Sequence, residues 1–370
     1  YAAIRVDIRG SGESEGLLID EYLKQEQDDA IEVISWIASQ PWCDGQVGMM
    51  GKSWGGFNSL QVAARNPDEL KCIITAFSTD DRYSDDVHYF GGCMAVENPV
   101  WAFVMLPFLA RPPDPELVGK NWQKIWLARL NCIKPWIIRW TKHQRRDAFW
   151  QHGSVCENYQ EILIPVYSIG GWADSYSNPV PRLVQNLSSP IRALVGPWGH
   201  QYMHQTIPGP TVGFLDEALR WWDNWLKNKN TQVENDPAYT VYLMEGVKPN
   251  SSYEYRKGHW VTFDKWPNQS SKKILHINEN STLDEEKGYS KTFISSPQTC
   301  GLDGGEYCAI WLGPELPGDQ RTDDGQSASF TTAELRDQID IVGAPKVKLK
   351  LRSSASTAQI AVRLNHIHPD

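Results

Sequence analysis

Three short segments of the chain place reactive side chains where a nucleophilic mechanism needs them. The first is Gly51-Lys52-Ser53-Trp54-Gly55-Gly56. It follows a short apolar run at 47–50 and opens a helical pattern over 54–65. A serine on a sharp strand-to-helix turn presents its hydroxyl outward, and flanking glycines let strand and helix close on each other. The helix start also sets the Trp54 amide beside the hydroxyl, as one donor for a developing oxyanion. The other two segments each follow an apolar strand pattern. Residues 164–169 run into Gly170-Gly171-Trp172-Ala173-Asp174, and 191–195 run into Gly196-Pro197-Trp198-Gly199-His200. A serine nucleophile needs a base, and the base needs an orienting carboxylate. Ser53, Asp174 and His200 come in that chain order at the ends of successive strands, which predicts covalent acyl transfer from an ester or amide.

Other residues compete for these roles. Asp80 and Asp81 follow the apolar run 70–77 and are rival acids for the triad. Asp174 has a structural alternative as a helix cap. His204 lies four residues after His200, but no carboxylate stands at ligand spacing, so neither a metal nor a cofactor is expected. Gly10-Ser11-Gly12 resembles a nucleotide loop, yet position 15 is Glu rather than Gly and the segment reads as a turn. His366 and His368 read as surface residues on a strand end.

Positioning three loops at one edge requires a sheet, and the pattern supplies it. From residue 1 to about 230, short apolar runs (1–8, 47–50, 70–77, 164–169, 191–195) alternate with helical spacing at 22–39, 54–65 and 214–226. That alternation predicts a mostly parallel sheet with helices on both faces. Residues 82–160 break the rhythm with helices, loops and six of the chain's 17 Trp, and read as a helical cap inserted between two strands. Its rings Tyr89, Phe90, Trp101, Phe103 and Phe108, with Trp172, are candidate pocket walls. Beyond about residue 240, alternating runs at 239–244, 272–277, 337–341, 346–351 and 358–364 predict a β-sandwich or jelly roll. The expected domains are therefore 1–232 and 236–370.

Composition bounds the partners. The 370 residues carry 36 Lys+Arg against 45 Asp+Glu, a net charge of -9, which argues against nucleic acid. No apolar run approaches 18 residues, so no membrane span is expected. Seven scattered cysteines without a Cys-x-x-Cys pair suit reduced thiols and a cytoplasmic location; Cys300 and Cys308 are the one pair spaced for a local bridge. Both ends read as cut. A strand pattern begins at Tyr1 with no initiator Met, so the sequence does not speak to a signal peptide. A homo-oligomer is compatible with all of this.

Taken together, the motifs resemble those of the cocaine esterase-like CocE/NonD hydrolases, related to X-Pro dipeptidyl-peptidases and α-amino acid ester hydrolases. The matching residues are 7–16 (Asp-Ile-Arg-Gly-Ser-Gly-Glu-Ser-Glu-Gly), 51–55, 170–174, 196–200, and 340–345 with 349–354 and 362–364. The resemblance implies an α/β-hydrolase domain with a helical cap, a C-terminal jelly roll, and Ser53, Asp174 and His200 as the triad. It also implies a second oxyanion donor, a tyrosine hydroxyl from a loop upstream of Tyr1, and further jelly-roll strands after residue 370, so the chain reads as a fragment. Cleavage after proline is the enzymatic alternative, with Glu97, Asp85 or Asp86 as anchors for a free amine. A catalytically dead fragment or a ligand-binding β-sandwich is the alternative of another class.

Overall fold

In the computed structural model, residues 1–267, 272–305 and 315–368 are described; Cys308, and with it the expected Cys300–Cys308 bridge, lies outside them. The main sheet takes its strands in chain order: β1 (Val47–Lys52), β2 (Leu70–Ala76), β3 (Val166–Gly171), β4 (Ile191–Gly196), β5 (Tyr239–Met244) and β6 (Gly258–Phe263). The first five are parallel and β6 is antiparallel to β5. The main helices are α1 (Lys24–Ala38), α2 (Trp54–Ala63), α3 (Glu97–Leu109), α4 (Trp122–Cys132), α5 (Pro179–Asn186) and α6 (Phe214–Lys227).

The strand β2 shows how the two-faced core forms. Side chains alternate across a strand, so a strand buried on both faces needs apolar residues throughout. Cys72 and Ile74 point to a cluster with Phe214, Ala218 and Trp221 of α6. Ile73 points the other way, to Ile34 of α1, Leu60 and Ala63 of α2, and Leu183 of α5, and Leu70 joins that cluster because the register slips by one residue between Leu70 and Cys72. Burial of each large apolar side chain stabilises by about 1.5–3 kcal/mol. Small residues let the layers approach: a Cβ on Gly48 of β1 would stand 2.6 Å from the Trp222 ring.

Between β2 and β3 lies the expected helical insertion. It opens with a hairpin (Tyr89–Phe90 against Cys93–Met94) and continues through α3, α4 and several shorter helices. It has a core of its own, in which Tyr89, Met105, Leu109, Trp136, Trp140 and Trp150 are buried. Two of the buried indoles have partners for their N–H groups. Trp140 donates to Asp20 Oδ1 at 2.9 Å and Trp150 to the His143 carbonyl at 2.7 Å.

Three expectations differ from what forms. Residues 1–8 join no ladder among the described residues and are largely exposed, with Val6 54% accessible; an apolar run does not supply its own pairing partner. Tyr239–Met244, placed by its alternation with the C-terminal region, extends the parallel sheet beside β4, and β6 follows it. The sheet therefore continues past the expected division at 232–236. In the C-terminal region, His276–Ile277 pairs with Leu283–Asp284. The runs 337–341, 346–351 and 358–364 form no ladders among the described residues, and Ile341, Leu351 and Leu364 are exposed. Alternation specifies an apolar face, but a strand exists only when another segment takes its hydrogen bonds. Among the described residues no helix is long and apolar enough to cross a membrane.

Candidate active site

Parallel strands bring their C-terminal ends to one edge, and the register sets how closely. Lys52 pairs with Ala76, and Gly171 with Gly196, while Ile169 of β3 lies beside Ala76 and Leu194. Ser53, Phe77, the Asp174 loop and the His200 loop all leave the sheet at this edge.

Ser53 occupies the turn between β1 and α2 with φ 56° and ψ -124°, outside the regions a side chain ordinarily allows. Backbone hydrogen bonds hold it there. Its N–H donates to Ala76 O at 2.9 Å, and its carbonyl accepts from Gly56 and Phe57 at 2.8 and 3.0 Å. The glycines matter unequally. A Cβ on Gly51 would lie 2.2 Å from the Gly55 carbonyl carbon, while a Cβ on Gly55 meets nothing within 4 Å. Gly56, in turn, abuts Ser78, 2.9 Å from where its Cβ would stand. The close approach thus falls on Gly51 and Gly56. Trp54 is the first residue of α2, and amides in the first helical turn lack intrahelical acceptors.

Asp174 and His200 meet across their loops. Asp174 Oδ2 lies 2.5 Å from His200 Nδ1, with Asp174 fully buried and His200 nearly so. A carboxylate only accepts, so Nδ1 carries the proton. The Asp174 Oδ1 accepts the Tyr176 amide at 2.9 Å. His200 Nε2, the free acceptor in the neutral ring, is buried and has no hydrogen-bond partner among the described residues. Lys52 Nζ donates to the His200 carbonyl at 3.2 Å, tying the His200 loop to the residue before Ser53. The His200 ring also packs edge-on to Phe77 at 5.7 Å.

The rival acids are occupied elsewhere. Asp80 accepts from Arg182 Nε at 3.1 Å and from the Tyr159 hydroxyl. Asp81 accepts the Tyr83 and Ser84 amides at 3.0 and 3.2 Å and lies near Arg146; burial raises its pKa, and those amides with Arg146 outweigh it, so the net shift is downward. His204 stacks on Phe214, and the His366 and His368 rings lie 4.3 Å apart. Among the described residues no group of three His, Cys, Asp or Glu side chains is arranged to hold a metal.

The candidate pocket rings scatter. Tyr89 is buried in the insertion's own core, and Phe90 follows it in the hairpin. Phe103 and Phe108 are exposed. Trp172 donates from Nε1 to the Tyr242 carbonyl at 2.7 Å and packs on the β5 side of the sheet. Trp101 packs edge-on to Trp54, the neighbour of Ser53, with centroids 6.1 Å apart. The sequence reading missed Glu26, whose Oε2 accepts from Trp54 Nε1 at 2.9 Å. Its only legible signal was its place three residues into a helix start. Tyr176 was missed too, since nothing local distinguishes it from any loop tyrosine.

Known proteins agree with this architecture. A cocaine esterase of Rhodococcus sp. (strain MB1 Bresler) is 23% identical over 407 residues, covering all of this chain and 70% of that protein. An Xaa-Pro dipeptidyl-peptidase of Lactobacillus helveticus is 22% identical over 98% of this chain and 47% of that protein. Among solved structures, a CocE/NonD family hydrolase of Staphylococcus aureus superposes with a TM-score of 0.58 at 22% identity, over 76% of this chain and 45% of that one. An α-amino acid ester hydrolase gives 0.55 at 18% identity, over 87% of this chain and 59% of that one. The chain thus spans only part of each relative, and the shared fold is the α/β-hydrolase fold. The family profile described as X-Pro dipeptidyl-peptidase (S15 family) matches residues 1–202, and the profile of the X-Pro dipeptidyl-peptidase C-terminal non-catalytic domain matches 231–370. By these matches the chain belongs to the S15 family of X-Pro dipeptidyl-peptidases and related hydrolases.

Proposed function

We propose that this chain carries the catalytic centre of a serine hydrolase that cleaves a small ester or amide through an acyl-enzyme. Ser53 Oγ attacks the carbonyl carbon while His200 Nε2 takes its proton. The tetrahedral intermediate collapses, and His200 returns the proton to the departing alcohol or amine. Water, deprotonated by the same nitrogen, then releases the acid and restores Ser53. Asp174 keeps Nδ1 protonated and so holds Nε2 free to act as the base. The Trp54 amide is one oxyanion donor. The observation that carries this reading is the 2.5 Å contact of Asp174 Oδ2 with His200 Nδ1, at the sheet edge from which Ser53 leaves in a strained turn.

Two supporting points concern setting. Cys43, Cys72, Cys93, Cys132 and Cys156 are free thiols, which supports a reducing compartment such as the cytoplasm. The non-catalytic domain profile begins at residue 231, close to the expected division, and β5 and β6 within it extend the sheet through Phe263, which favours a C-terminal domain whose first strands complete that sheet.

Cleavage after proline is the second reading. It is less favoured because two of its three candidate anchors are engaged: Asp85 pairs with Arg182 at 2.7 Å, and Asp86 is buried beside His88, which leaves Glu97 at the start of α3 to hold a free amine. A fluorophosphonate probe tests the class. The full protein should be labelled at Ser53, and Ser53→Ala should abolish both labelling and turnover. Labelling that persists in Ser53→Ala refutes the assignment, and a wild-type protein that never labels supports a dead or purely binding protein. A panel of aryl esters and prolyl amides then separates the two enzymatic readings.

A further inference from the structure

A buried cluster of charged groups lies where the insertion meets the N-terminal segment, and one tyrosine connects it to the acid loop. Glu21, Arg82, Asp86 and His88 are each no more than 2% exposed. His88 Nε2 lies 2.5 Å from Glu21 Oε1, and its Nδ1 lies 3.0 Å from Asn98 Oδ1. Arg82 stands 3.8 Å from Glu21, and Trp101 Nε1 donates to the other Glu21 oxygen at 2.7 Å. Asp86 Oδ2 lies 3.9 Å from His88, while its Oδ1 accepts the Val87 amide at 2.7 Å and the Tyr176 hydroxyl at 2.9 Å.

Tyr176 is therefore held at both ends. Its amide serves Asp174 Oδ1 and its hydroxyl serves Asp86 Oδ1. Between them its ring packs edge-on to Phe57 of α2 at 5.5 Å and lies 5.9 Å from the His200 ring. The ring thus touches the helix that Ser53 opens and the imidazole that must accept its proton. We infer that Tyr176 is a positioning residue for the triad, and that the Tyr176–Asp86 hydrogen bond fixes the Asp174 loop to the buried charged cluster of the insertion. This rests on the Ser53-His200-Asp174 reading above.

The mechanism is geometric. Asp174 sits two residues before Tyr176, so a loop released from Asp86 can rotate the carboxylate off Nδ1 without any change in the sheet. Misplacement of a base by a fraction of an ångström lowers the chemical step and leaves ground-state binding alone. A structural role alone would lower stability and leave kcat unchanged.

Removing one oxygen tests it. In the full protein, Tyr176→Phe keeps the ring and its packing, and should lower kcat roughly tenfold, the scale of one hydrogen bond to a charged group, with KM little changed. Asp86→Asn retains an acceptor at Oδ1 and should keep more activity than Asp86→Ala. In the double variant Tyr176→Phe/Asp86→Ala, the losses should not multiply, because both remove the same bond. The inference is overturned if Tyr176→Phe melts lower but turns over and labels with fluorophosphonate at the normal rate, or if the two losses multiply. Should Ser53→Ala stay active, the triad reading itself fails first. An inactive Ser53→Ala beside a fully active Tyr176→Phe overturns only the positioning role.

Discussion

Asp174 and Asp80 meet different partners, His200 and Arg182, and substitution tests whether they also do different work. Asp174→Asn keeps the size of the side chain but lets His200 carry its proton on the wrong nitrogen, so kcat should fall about 10⁴-fold with the melting temperature little changed. Asp80→Asn removes one of the two carboxylates that pair with Arg182, which is about one third exposed, and should cost stability on the order of 1 kcal/mol while sparing kcat. Steady-state kinetics and thermal melts on the two variants check this, and equal kinetic damage from Asp80→Asn would reassign the acid. Glu26 makes a prediction about pH. Burial pushes its carboxyl up to about 7 from the usual 4.5; the bonds from Trp54 and Leu23 oppose this, Glu21 adds to it, and Arg82 opposes it. The folded state therefore holds a proton that the unfolded chain has released. That contribution to stability is complete below about pH 4.5 and is lost as pH rises through about 7, amounting to on the order of 3 kcal/mol. Melting temperatures measured from pH 4.5 to 8 should fall less steeply in Glu26→Gln than in the wild type.

Among the elements, the insertion shows the widest gap between kinds of aromatic residue. Trp150 is fully buried, ringed by Tyr89, Phe149 and His88, so Trp150→Ala should destabilise by about 3–5 kcal/mol. Phe108 is half exposed on α3, and Phe108→Ala should change stability by no more than about 0.5 kcal/mol. Chemical denaturation of both variants measures the contrast. If Phe108 touches substrate, KM should rise in that variant although stability holds. The helical character of 82–160 was legible from its density of Trp and the loss of strand alternation. Which rings face inward was not, because a ring's burial depends on how the helices cross, and α3 is apolar on nearly every side, so its sequence marks no inward face. Trp101 was named for a pocket wall and in fact bridges Glu21 and Trp54, two contacts made across the fold.

Over the whole molecule, the sheet edge predicts where the chain can be cut. Ending it at residue 236 removes β5 and β6 and bares the β4 edge, including Ala193, Leu194 and Val195, which β5 pairs. An unpaired hydrophobic edge invites aggregation. Residues 1–236 should therefore aggregate on expression, while residues 1–267 should behave like the whole chain in solution, as size-exclusion chromatography of both will show. A monodisperse 1–236 protein would restore the division expected from the change of pattern near residue 236.

The sharp turn at Ser53, the chain order of the proposed triad residues and the parallel sheet were all readable from the amino acids. They depend on local rules: glycine where backbones touch, apolar runs where a strand is buried on both faces, and helix signals directly after the serine. Side-chain alternation alone could not say whether 239–244 joins the sheet or the C-terminal region, since both settings ask for the same pattern and only the neighbouring β4 decides. Likewise, the choice of Asp174 over Asp80 and Asp81 was decided in three dimensions. Each follows a strand of the same sheet, and only the packing that brings Arg182 to Asp80 and His200 to Asp174 favours Asp174 as the proposed acid. The link from Asp86 through Tyr176 to that loop joins residues 90 positions apart, and such pairings arise when the chain closes on itself rather than from spacing along it.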